Sequence, residues 1–194
     1  MADFNEAFEI TMGHEGTYDN DVDDVGGETY RGIARRYHPN WEGWKIIDDC
    51  KKFDFSIEEC LRLKGGDIND RVKDFYKDKY WNPFCGDEIF NQMVANEMFD
   101  TGVNMGIGRA VKFLQKGLNV LNRNGRLYSD IVEDGDFGNN TMRALDSLPQ
   151  KDMGVLCKIM NVLQGMHYIN YMTKSPTQEK FARGWFSRVD FRKA

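Results

Sequence analysis

The residue with the most chemistry in this sequence is Glu15, because of its neighbours. It follows Phe8-Glu-Ile-Thr-Met-Gly-His14. It precedes Gly16-Thr-Tyr18, the acidic run Asp19 to Asp24, and Gly26-Gly27-Glu-Thr29-Tyr-Arg-Gly32-Ile33. An apolar helical pattern thus runs into an acid, and a Gly-rich turn with more carboxylates and a Thr comes next. Cleavage of a glycosidic bond needs such a set: one carboxylic acid kept protonated, and polar groups that position water or a sugar ring.

The elements that must hold these groups can be read by spacing. Asp3 with Glu6 forms a capping-box-like helix start. Phe4, Phe8, Thr11 or Met12, and Glu15 follow at intervals of three to four, so they share one helical face. The two Phe residues make that face the buried one. Glu15 is then expected in the last turn, facing the core or a cleft, where burial raises a carboxyl pKa toward that of a general acid. A helix-end Glu reaching solvent is the plainer alternative.

Gly16, Gly26, Gly27 and Gly32 permit tight turns, and Thr29 and Tyr30 favour strands. A small β-hairpin wing near residues 17–33 is expected, carrying Asp24 and Thr29. The run Asp19, Asp21, Asp23, Asp24 is not an EF-hand loop. Counting from Asp19, position six is Asp24, not Gly, and position twelve is Tyr30, not Glu. A solvated acidic turn with one or two catalytic members is the reading taken, with no metal and no cofactor.

Glu15-Gly-x-Tyr18 followed by Asp24-x-Gly26-Gly27-x-Thr29-x-x-Gly32-Ile33 resembles the signature of glycoside hydrolase family 108. These are N-acetylmuramidases, some labelled secretion activator proteins. The family pattern has Gly where this chain has Thr17, a change that bears on the local turn more than on chemistry. The order Glu, Asp, Thr also resembles that of phage-type lysozymes.

A second block, Phe99-Asp100-x-x-Val103-Asn104-x-Gly106, leads to Ala110, Leu114-Gln115 and Leu118-Asn119. Asp134-Gly135-x-Phe137-Gly138-x-x-Thr141-x-x-Ala144-Leu145 follows. This resembles the predicted peptidoglycan-binding region that follows the catalytic segment in the family, and Gln178-x-x-Phe181-x-x-Gly184-Trp185-x-x-Arg188 resembles its end. The resemblance implies a lysozyme-like catalytic segment over 1–98 and a peptidoglycan-binding helical segment over 99–194, packed as one unit. It implies a peptidoglycan hydrolase cutting the β-1,4 bond between N-acetylmuramic acid and N-acetylglucosamine. Glu15 would be the acid. Asp24 with Thr29 would steady the oxocarbenium-like transition state or hold the attacking water. Asp21 and Asp23 lie close enough in sequence to compete with Asp24. A lytic transglycosylase and a non-catalytic wall-binding protein are the rival readings.

Composition bounds the rest. The chain has 194 residues, 41% hydrophobic, with a net charge of −5. That charge argues against nucleic-acid binding. Contact with an anionic wall would need local basic patches such as Arg31, Arg35 and Arg36. No apolar run is long enough to span a membrane. The start, Met-Ala-Asp-Phe-Asn-Glu, is acidic, where a secretory peptide begins basic and then turns apolar. The expectation is a monomer made in the cytoplasm and acting on the wall after release by a holin or export partner, with a prophage origin. Cys50, Cys60, Cys85 and Cys157 are scattered and the three His isolated, so no zinc site is read. The thiols are expected to be reduced and packed.

Elsewhere the pattern is helical, and the fold class is mainly α with the one β wing. Ser56-Ile-Glu-Glu59 is a capping-box signal. Gly65-Gly66 breaks the chain. Helices are expected over 67–80, ended by Pro83; over 87–105, buried through Ile89, Phe90, Met93, Val94, Met98 and Phe99; over 110–121; and over 152–172, the longest. Tyr18 and Tyr30 flank the Gly-rich turn and either stack on sugar or pack it. Asn104, read as a buried amide, either caps its own helix or lines the sugar cleft. Trp81 is expected in the core. Trp41 and Trp44 bracket Gly43, packed or forming a wall-binding edge. Asp134 and Asp136 are read as turn formers.

Overall fold

The computed structural model describes residues 1–13, 18–20, 27–53, 56–63 and 65–189. Glu15, Asp21, Asp23 and Asp24 lie outside the described residues. The chain divides into two compact units, one of Phe8–Lys79 and one of Met1–Ala7 with Tyr80–Ala194.

The first unit begins in α1 (Phe4–Met12). Phe4, Phe8, Thr11 and Met12 are all buried, as their spacing requires. The described helix ends at Met12 and Gly13 follows as a turn. Asp3 accepts from the backbone N–H of Asn5 at 2.8 Å. Glu6 does not complete the box; it accepts from the Asn96 side chain at 3.2 Å.

The wing is a three-stranded antiparallel sheet of β1 (Tyr18–Asp19), β2 (Thr29–Tyr30) and β3 (Ile33–Ala34), in that order. Tyr18 pairs with Tyr30 and Asp19 with Thr29; Tyr30 pairs with Ile33 and Thr29 with Ala34. The β2–β3 turn places Arg31 and Gly32 at φ +44° and +78°, a left-handed pair that favours Gly. The Tyr76 hydroxyl donates to the Arg31 carbonyl at 2.9 Å. A Cβ on Gly32 would meet that hydroxyl at 2.7 Å.

The wing is tied to α2 (Gly43–Cys50) and α4 (Gly65–Tyr76), and α3 (Ile57–Leu63) packs against both helices. Ser56 caps α3 by accepting from the Glu59 N–H at 3.1 Å, as the capping signal predicts. α3 ends at Leu63, and Gly65 and Gly66 open α4, two residues ahead of the expected start. Trp41 stacks on Tyr30 and meets Trp44 edge to face. A Cβ on Gly43 would lie 2.2 Å from the Trp41 ring, so only glycine lets that indole lie across the start of α2.

The thiols of Cys50 and Cys60 form a disulfide between α2 and α3. This corrects the expectation of reduced thiols. The apolar and helical spacing around the two residues carries no sign of the pairing, because a bridge depends on where two helices meet. Cys85 and Cys157 remain free, and burial pushes the Cys157 thiol up to about 12.

The second unit is built on α5 (Gln92–Met105), α6 (Ile107–Leu121) and α8 (Met153–Lys174), each packed on the other two. The shorter α7 (Asn139–Ser147) lies against α6, and α9 (Ala182–Phe186) against α8. α4 gives way to a π-helical turn, Lys77–Trp81, and then to a 3-10 turn containing Pro83. Trp81 is fully buried, meets Phe4 and Phe99 edge to face, and donates its indole N–H to Asp87 at 2.9 Å. The helix expected over 87–105 starts later than the apolar run suggests: Asn91 caps it by accepting from the Val94 N–H. Phe90 and Met93 are therefore exposed rather than buried, at 73% and 38%. Among the described residues no helix is long and apolar enough to cross a membrane.

Candidate active site

The described frame of the site is the β wing. In sequence, Glu15 falls between α1 and β1, and Asp24 between β1 and β2, both outside the described residues. What the structure describes is how the wing is held.

Thr29 donates its hydroxyl to the Gly27 carbonyl at 3.1 Å. Gly27 sits at φ +63°, the left-handed conformation that brings its carbonyl back toward Thr29. The hydroxyl proton is committed there, so the Thr29 oxygen is left as an acceptor.

The side chain that organises the wing is Glu28, between Gly27 and Thr29. Its carboxylate, only 11% exposed, meets Arg35 at 2.7 Å and Lys51 at 2.6 Å, and accepts from the Tyr18 hydroxyl at 3.1 Å. The Arg35 N–H also donates to the Glu28 carbonyl at 2.8 Å. Arg35 spans onward to Asp48 with two bonds, at 2.6 and 3.0 Å, and lies over the Trp44 ring at 4.5 Å. One carboxylate thereby ties β1, the β2 approach, β3 and α2 together.

The electrostatics follow. Partial burial, then the bond to Glu28, push the Tyr18 phenol up to about 12. The Arg35 bond holds the Asp48 carboxyl below the usual carboxylate range, and the same bond raises Arg35. Arg35 is thus neutralised by two carboxylates, not offered as wall-binding charge, and Arg31 bonds Asn69 at 3.2 Å.

Of the candidate sugar contacts, Tyr30 is buried at 5% exposure with its ring against Trp41; it packs the wing. Tyr18 is half-buried and points its hydroxyl at Glu28. Asn104 belongs to the other unit, where it is exposed rather than buried and donates to the Asp100 carbonyl of its own helix at 2.7 Å. Tyr18, Thr29 and Tyr30 are brought together on paired strands. Asp134 and Asp136 form a turn in the second unit, Asp134 accepting from the Asp136 N–H at 2.9 Å. Among the described residues no group of three or more His, Cys, Asp or Glu could hold a metal ion. Spacing alone did not single out Glu28, which sits at an unconstrained position of the Asp-x-Gly-Gly-x-Thr pattern. Its position between a turn Gly and a strand Thr, with Arg35 seven residues on, was the available signal.

The family model described as Glycosyl hydrolase 108 matches residues 8–106, which include the whole wing and α1 from Phe8 onward. The chain belongs to the glycosyl hydrolase 108 family. In this family member a second model, described as Predicted Peptidoglycan domain, matches residues 109–190. No curated protein matches the chain. Among solved structures the chain is similar to the one titled Structure of Brucella abortus SagA, with a TM-score of 0.60 and 24% identity over 96% of this chain and 88% of that one. That likeness shows the shared fold, mainly helical with the small sheet. The family match also fixes where the wing belongs: Gly27 and Thr29, joined by a hydrogen bond here, fall inside the glycosyl hydrolase 108 segment.

Proposed function

We propose that this family member is an N-acetylmuramidase, cutting the β-1,4 bond between N-acetylmuramic acid and N-acetylglucosamine in peptidoglycan. The observation that carries the reading is the family match over 8–106. It includes the run from Glu15 to Ile33 and is followed directly by the peptidoglycan domain.

Glu15 protonates the glycosidic oxygen as the bond to the sugar C1 breaks. A positioned proton donor of this kind contributes about 10²–10⁴ in rate. Positive charge then builds on the ring, and the Asp24 carboxylate steadies it or takes a proton from the incoming water. Thr29 suits the second part of that task. With its own proton given to Gly27, its oxygen can only accept, so it orients a water by receiving one of that water's hydrogens. Glu28 is excluded from acid work by its partners. Two cations and a phenol occupy its carboxylate oxygens, so it serves the wing's shape and leaves proton transfer to Glu15.

The substrate lies outside the cytoplasmic membrane, so the protein is released to it by a holin or an export partner. The Cys50–Cys60 disulfide supports action in an oxidising compartment.

The test is digestion of purified peptidoglycan with mass-spectrometric identification of the products. New reducing ends are expected. Anhydro sugars would replace this reading with a lytic transglycosylase, and undigested wall with protein bound would leave a wall-binding module.

A further inference from the structure

The second unit carries a cleft of about 400 Å³ between α6, the 131–138 segment and the start of α7. Its rim is built, not incidental. Gln115 of α6, 1% exposed, donates through its amide to Asp134 at 2.8 Å, to the Asp136 carbonyl at 3.1 Å and to the Thr141 hydroxyl at 3.1 Å. The same amide oxygen accepts from the Gly135 N–H at 2.9 Å. Gly135 lies at φ +88°, and a Cβ there would be 2.7 Å from the Gly108 carbonyl. A fully satisfied buried amide thus clamps the loop in one shape.

Two charges line this rigid cleft with no protein partner among the described residues: the Asp136 carboxylate and the Arg143 guanidinium. They do not pair with each other. Asp134 is different, since it is engaged by Gln115 and by the Asp136 N–H. Ile131 and Val132 supply an apolar wall, and no aromatic residue lines the cleft. A glycan platform presents aromatic faces to sugar rings. Two opposite charges and two aliphatic side chains lining one cleft instead match a ligand bearing both an ammonium and a carboxylate on a short aliphatic stem.

We propose that this cleft binds the peptide part of peptidoglycan and not its sugars: the end of a stem peptide whose terminal diamino acid carries an ammonium and a carboxylate on one carbon. Asp136 takes the ammonium, Arg143 takes the carboxylate in a forked pair, and Ile131 and Val132 cover the methylene stem. The inference rests on the chain acting on peptidoglycan, and it would make the second unit a reader of uncrosslinked wall, because crosslinking turns that amine into an amide.

The experiment uses the full chain with Glu15→Gln, so that nothing is cut during titration. Four probes are titrated calorimetrically: the tripeptide L-alanyl-γ-D-glutamyl-meso-diaminopimelate; the same peptide acetylated on its side-chain amine; the same with lysine in the third place; and the peptide-free disaccharide. The free tripeptide is expected to bind, with the acetylated and lysine peptides weaker by about tenfold or more, since each lacks one charged contact. Asp136→Asn should lose the preference for the free amine, and Arg143→Gln the preference for diaminopimelate over lysine. Equal binding of all three peptides, or binding of the disaccharide alone, overturns the inference without needing the Asp136 or Arg143 variants to fold. Cleavage of wall by the wild-type chain is measured separately. Cleavage without tripeptide binding removes only this inference, and tripeptide binding without cleavage removes only the hydrolase reading.

Discussion

The Arg35 guanidinium bridges Glu28 and Asp48, with its Nε 2.7 Å from one carboxylate and its terminal nitrogens on the other. Glu28 is the more enclosed of the two, and Lys51 closes its other side. Replacing Glu28 by Gln removes the charge shared by Arg35 and Lys51 and leaves one neutral amide oxygen to serve them and Tyr18. Loss of one partner from such a cluster costs about 1–3 kcal/mol. For a chain of this size that is a fall of roughly 2–12 °C in melting temperature. Wall clearing should fall as well, because the strand carrying Thr29 is held through this carboxylate. A Glu28→Gln protein that melts with the wild type would show the network to be ornamental.

The disulfide joins α2 to α3 across a sequence separation of 10. A bridge closing a loop of that length restrains the unfolded chain by about 2–3 kcal/mol. Cys50→Ser, or reductant added to the wild type, should lower the melting temperature by roughly 4–12 °C, and the two treatments should not add. Intact mass before and after alkylation under denaturing, non-reducing conditions gives a direct check. Two free thiols are expected, Cys85 and Cys157; four would mean that the bridge is absent.

The parts of this arrangement that rest on local rules could be read from the sequence, and the parts that rest on long-range encounters could not. The buried face of α1 through Phe4, Phe8 and Met12 follows from period alone, as do the Ser56 cap and the short strands around Thr29. Phe90 and Met93 differ from the expected burial because an apolar run says nothing of where a cap begins, and Asn91 starts α5 after Phe90. Gly65 and Gly66 look like breakers, yet they form the first turn of α4, where the backbone N–H groups need no partner within the helix. Glu28, Arg35, Asp48 and Lys51 each read as ordinary surface charge. Only the fold brings α2 beside the wing so that they pair.

The alkaline limb of stability has a definite sign. The Tyr18, Tyr128 and Tyr168 phenols are each raised to about 12, chiefly by burial. The folded state therefore keeps these protons where the unfolded chain, with phenols near 10, gives them up. The stabilisation is fully present below pH 10 and is lost as pH climbs from about 10 to about 12. Melting temperature against pH should fall over that window. Tyr18→Phe should soften the fall by removing one of the three groups. A flat profile between pH 10 and 12 would contradict the burial seen for these phenols.

Chemistry on the glycan is expected to hinge on Glu15. Glu15→Gln keeps the shape of the side chain but has no proton to give, so turnover should drop by about 10²–10⁴ with the melting temperature unchanged. Asp24→Asn should come next in severity, and Asp21→Asn and Asp23→Asn should cost less, because the family pattern aligns Asp24 with the carboxylate that precedes Gly-Gly. Thr29→Val tests the water-holding role separately: it removes the acceptor oxygen while keeping a β-branched residue in the strand, and should lower kcat more than it raises KM. Equal losses at Asp21, Asp23 and Asp24 would point instead to a shared electrostatic or metal site. Activity abolished by chelator and restored by calcium would establish that site, and the assignment of Asp24 as the partner of Glu15 would then be wrong.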